Sequence, residues 1–60
     1  MLSVSWKGTF VNDVEKKVFY LTITVGSLED AYREIRDYHE SLSDNGWVMV
    51  DNEITEIKIL

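Results

Sequence analysis

The chain has 60 residues with no cysteine, no proline and one histidine, and its eleven acids and six bases give a formal net charge of -5. That length allows one domain, and without cysteine neither a disulfide nor a thiolate zinc site can staple it. The acidic balance has the wrong sign for neutralising nucleic-acid phosphates or for docking on an anionic membrane surface, and it suits a domain kept apart by its own charge. A domain this small buries only ~60% of the surface its unfolded chain exposes, so self-association is the most available source of further stability.

The N-terminus, Met1 to Lys7, lacks the basic region and apolar run of a signal peptide. The longest uncharged stretch, Val18 to Leu28, is too short and too threonine-rich to span a bilayer. Together with the absence of cysteine, these features predict a soluble, cytoplasmic polypeptide that starts at its own Met1.

The first element alternates with period two. Leu2, Val4, Trp6 and Phe10 fall on one side, and Ser3, Ser5, Lys7 and Thr9 on the other, as in a half-buried strand. Gly8 stands in register with the apolar side, which marks either a bulge or a place where a large neighbour packs close. Asn12 to Lys16 supply a turn. A second strand follows, with Phe19, Leu21, Ile23 and Val25 on one face and Val18, Tyr20, Thr22 and Thr24 on the other. The two strands form a hairpin with long arms.

Gly26 and Ser27 stop the second strand, and Ser27 is placed to cap a helix with Glu29 and Asp30 in its first turn. The helix is predicted to run to about Leu42. Leu28, Ala31, Tyr32, Ile35 and Leu42 share its apolar stripe, with Tyr38 and His39 beside it. Glu29–Arg33, Arg33–Asp37 and Arg36–Glu40 are spaced for ion pairs one turn apart. Asp44-Asn45-Gly46 ends the helix. Trp47 to Val50 and Ile54 to Leu60 are extended, separated by Asp51-Asn52-Glu53, which is either a tight turn between two strands or an irregularity in one long strand. The expected fold is α+β, ββαβ or ββαββ, an antiparallel sheet of three to four strands with one helix on one face. Trp6, Phe10, Phe19, Leu21, Ile23, Leu28, Ile35, Leu42 and Ile57 are the expected core. The expected sheet edges are Leu2 to Phe10 and Ile54 to Leu60.

Chemistry is sparse. His39 has no serine or carboxylate placed by sequence to serve it, so packing explains it better than catalysis. The acids of the two loops at Asp44-Asn45 and Asp51-Asn52-Glu53 match no calcium-loop spacing, and the three isolated glycines make no phosphate-cradling loop. No catalytic residue, cofactor or metal is expected. What remains is surface. Tyr20, Tyr38 and Trp47 are candidate contact residues, because tyrosine and tryptophan are enriched at interfaces. Glu34, Asp37, Glu40 and Asp44 belong to an acidic helix face that extends over about 20 Å. The leading expectation is a non-enzymatic protein–protein interaction module that pairs with itself as a homodimer, of the stand-alone kind common on phages and other mobile elements. The alternative is an inhibitor whose carboxylates imitate DNA phosphates in the groove of a host protein. Very small acidic phage proteins work in that way, and this chain is similar to them in layout, without a shared motif.

Overall fold

The computed structural model covers residues 1–60 and holds four elements: β1 (Leu2–Val11), β2 (Lys16–Val25), α1 (Leu28–Asp44) and β3 (Val48–Ile59). Asn12 makes the first turn. Its Oδ1 accepts from the Val14 and Glu15 N–H groups, each at 2.8 Å, and its own N–H donates to the Glu15 carbonyl at 3.0 Å. An asparagine that supplies both halves of a turn leaves β1 and β2 free to pair from Val11↔Lys16 to Leu2↔Val25.

Helix α1 is capped at both ends. Ser27 Oγ accepts from the Asp30 N–H at 3.2 Å, and Glu29 and Asp30 occupy the positive end of the helix dipole. At the other end Gly46 takes φ 87°, its N–H donates to the Ser43 carbonyl at 3.0 Å, and the Trp47 N–H donates to Leu42 at 3.1 Å. This is the double-bonded Schellman stop, and it carries the helix two residues beyond the expected end at Leu42. Replacing Ser27 by alanine is expected to lower stability by about 1 kcal/mol. Urea denaturation followed by circular dichroism should show an earlier midpoint with an unchanged slope.

The sheet has three antiparallel strands in the order β2-β1-β3. The first strand is therefore central, and the expectation that it lies on an edge is corrected: the edges are β2 and β3. Strands β2 and β3 run parallel to each other with β1 between them, so α1 is a crossover connection, and such connections are right-handed almost without exception.

The C-terminal segment is one strand. Its 12 residues run along the 10 of β1, and the excess is taken up at two register shifts, opposite Ser5/Trp6 and Thr9/Phe10. Thr55 and Val50 are the extra residues. Asp51, Asn52 and Glu53 do not turn. They pair with Thr9, Gly8 and Lys7, and Asn52 Oδ1 accepts a 3.1 Å bond from Trp6 Nε1. Each such bulge bends an edge strand and strengthens its twist.

The buried apolar core consists of Val4, Trp6, Phe10, Val25 and Ala31. Trp6 and Phe10 were expected there; Val4, Val25 and Ala31 join them. Phe19, Leu21, Ile23, Ile35 and Leu42 are half-buried, whereas Leu28 and Ile57, expected in the core, are exposed. Sheet width explains Ile57. It pairs with Val4, which is 0% exposed and packed with Ala31 of the helix, so the helix reaches that level of the sheet. One helix about 10 Å across covers two strands spaced ~4.8 Å apart, and the outer part of the edge strand β3 stays uncovered.

Gly8 is buried between the rings of Trp6 and Phe10. Those rings open an aromatic run under the helix. Trp6 meets Tyr38 edge-on at 6.0 Å, Phe10 meets Phe19 at 5.5 Å, and Phe19 meets Trp47 at 5.2 Å. Edge-to-face geometry of this kind adds about 0.5–1.5 kcal/mol per pair beyond area burial.

Candidate interaction surfaces

The sheet face away from the helix is uncovered. It carries Ser3, Ser5, Lys7, Thr9 and Val11 from β1, Val18, Tyr20, Thr22 and Thr24 from β2, and Asp51, Glu53, Glu56 and Lys58 from β3. Lys7 Nζ lies 3.1 Å from Glu53 Oε1, and the Lys7 ammonium is held above its ordinary range, first by the hydrogen bond it donates to Glu53 and then by the attraction of the same carboxylate. A raised lysine favours the folded state at neutral pH, and that contribution disappears only above the ordinary lysine value of 10.5. Ser5 and Thr22 hydroxyls meet at 3.2 Å, and Thr55 Oγ1 donates to the Ser5 carbonyl at 3.3 Å. This face is polar, with charges of both signs.

The outer face of α1 is the second surface. Glu34, Asp37, Glu40 and Asp44 are all exposed on it. Two arginines interrupt it. Arg33 binds Asp30 at 3.0 Å and approaches Glu29 at 3.9 Å, and Arg36 lies 3.9 Å from Asp37. The expected Arg33–Asp37 and Arg36–Glu40 pairs do not form, because Arg33 turns toward the first turn of the helix, where two carboxylates converge. Exposed pairs of this kind contribute little.

The third surface was not expected. Leu28 and Tyr32 of α1 and Ile57 and Ile59 of β3 are 39%, 59%, 46% and 88% exposed. Ile57 pairs with Val4 and Ile59 with Leu2, so both isoleucines lie on the helix side of the sheet. By the right-handed rule for such crossovers, the helical period puts Leu28, Tyr32, Ile35 and His39 on the flank nearer β3, and Asp30, Glu34, Asp37 and Ser41 on the flank nearer β2. The apolar flank of the helix therefore overlooks the apolar end of β3, and the acidic flank overlooks β2. The missed signal was the width of the sheet, since a single helix about 10 Å across cannot cover a third strand ~4.8 Å beyond the two beneath it.

The three aromatic candidates are dispersed. Tyr20, 73% exposed, projects from the uncovered sheet face. Tyr38 and Trp47 lie on the helix side, packed against Trp6 and Phe19. His39 is half-buried and tilted over Phe10 at 5.8 Å, as packing would place it. No enclosed pocket forms, no three histidine or carboxylate side chains gather into a metal-holding group, and no helix is long and apolar enough to cross a membrane. No protein-family model matches the chain, and no curated protein or solved structure matches it.

Proposed function

We propose that this chain is a non-enzymatic protein–protein interaction module whose first partner is a second copy of itself. The observation that carries the reading is the exposed apolar group Leu28, Tyr32, Ile57 and Ile59 beside an open sheet edge. A small domain with only five buried apolar side chains gains much from covering four more. An open edge adds a row of free N–H and C=O groups that another strand can satisfy. Sedimentation equilibrium over a range of concentrations is expected to give twice the mass of the 60-residue chain. A single monomer mass at every concentration up to the millimolar range would sink this reading.

The second reading is DNA mimicry, supported by the exposed carboxylates of Glu34, Asp37, Glu40 and Asp44 on the outer face of α1. Arg33 and Arg36 on the same helix weaken the imitation of a phosphate row. If mimicry operates, a protein captured by the chain is released by added duplex DNA, and changing Asp37 and Glu40 to lysine abolishes the capture while leaving self-association intact.

A further inference from the structure

We infer that two copies join through β3, antiparallel and centred on Ile57, so that Glu56 of each copy faces Lys58 of the other. The inference rests on the self-association reading and names its surface and register.

Two edges are open, and electrostatics separates them. Pairing β2 with a second β2 would bring the acidic helix flank of Asp30, Glu34 and Asp37 toward the same flank of the other copy. A net charge of -5 on each chain adds to that repulsion. Pairing β3 with β3 brings the flanks of Leu28 and Tyr32 together instead. The two-fold axis then stands perpendicular to the sheet, both helices lie on one side, and each helix sits over its own central strand. Those strands would be three spacings, roughly 14 Å, apart. Helices about 10 Å across leave a furrow at that separation. Tyr32 and Ile57, already exposed at its borders, are the side chains that fill it.

The backbone of β3 is suited to this pairing at its C-terminal end. The Leu60 N–H donates to the Met1 carbonyl at 3.0 Å, which directs the even-numbered residues there toward β1. In an antiparallel ladder the direction alternates, so Ile57 and Ile59 direct their N–H and C=O groups outward. The bulge at Thr55 marks the point where the regular stretch begins.

Charge sets the register. With Ile57 opposite itself, Glu56 faces Lys58 twice across the axis, and Thr55 faces Ile59. Centring on Glu56 would oppose two carboxylates, and centring on Lys58 would oppose two ammonium groups; like charges directly opposite are destabilising. Within one chain Lys58 Nζ already lies 3.5 Å from Glu56 Oε1, with both side chains more than half exposed. The dimer would join these two pairs into one alternating cluster of four charges.

The test uses charge exchange on the full chain, read by native mass spectrometry and sedimentation equilibrium. Lys58→Glu alone and Glu56→Lys alone are each expected to weaken the dimer about tenfold or more, with circular dichroism unchanged because both side chains are exposed. Mixing the two variants is expected to produce a heterodimer in preference to either homodimer, and the double variant E56K/K58E is expected to recover self-association. Ile57→Pro removes an outward N–H that the monomer does not use, so it should block the dimer and keep the fold. A wild-type dimer that ignores all these changes overturns the β3 register and leaves self-association standing on another surface. A wild-type chain that stays monomeric overturns both.

Discussion

Phe10→Ala is expected to cost about 3–5 kcal/mol, the range for truncating a fully buried aromatic ring. The Phe10 side chain is 0% exposed and meets Trp6 at 6.3 Å, Phe19 at 5.5 Å and His39 at 5.8 Å. It joins both outer parts of the aromatic run, so its removal opens a cavity that three neighbouring rings cannot close together. A native domain of 60 residues has a stability of about 3–9 kcal/mol at ~0.05–0.15 kcal/mol per residue. The variant is therefore expected to be largely unfolded at 25 °C, with loss of the far-ultraviolet signal. Phe10→Leu, which keeps most of the volume, should cost less and give a measurable urea transition. A Phe10→Ala variant within 1 kcal/mol of the parent would mean that this core does not hold the sheet to the helix.

Gly8→Val is the second large effect. Gly8 is not needed for a turn, since its backbone is ordinary strand; it is needed for space. A Cβ there would stand 2.6 Å from Phe10 Cε1 and 2.8 Å from Trp6 Cζ2, closer than carbon atoms approach. Both rings belong to buried residues, so neither can swing into solvent. Overpacking costs typically about 1–3 kcal/mol, and valine adds two further methyl groups to the clash. Displacement of Trp6 would also break its bond to Asn52. Urea denaturation should show the loss, and tryptophan emission of the folded variant should shift as the Trp6 indole is moved. Gly8→Ala should act in the same direction with a smaller effect.

The hairpin, the Ser27 cap and the Gly46 stop were legible because each depends on residues a few positions apart. Gly8 could be flagged because it interrupted an apolar alternation, although its neighbours in space, Trp6 and Phe10, decide what it does. The candidate surfaces were less legible. Glu34, Asp37, Glu40 and Asp44 lie where helical spacing put them. Tyr38 and Trp47 carry the residue types of an interface, but their distances to Trp6 and Phe19 show them also in the aromatic run under the helix. Leu28 and Ile57 read as core because apolar periodicity reports which side of an element faces inward, and says nothing of how far the covering layer extends.

The sequence by itself determined the kind of each element, the face each element buries, and the stops between them, because these follow from periods of 2 and 3.6 and from local hydrogen bonding. The tertiary structure alone decided that β1 is central, that Asp51 to Glu53 continue a strand, and that Leu28, Tyr32, Ile57 and Ile59 remain exposed together. Strand order depends on which free edge the chain finds after the crossover, and the bulges on fitting 12 residues against 10. The exposure of Ile57 beside buried Val4 depends on one helix covering two strand spacings and not three, which becomes visible only when the elements are laid side by side.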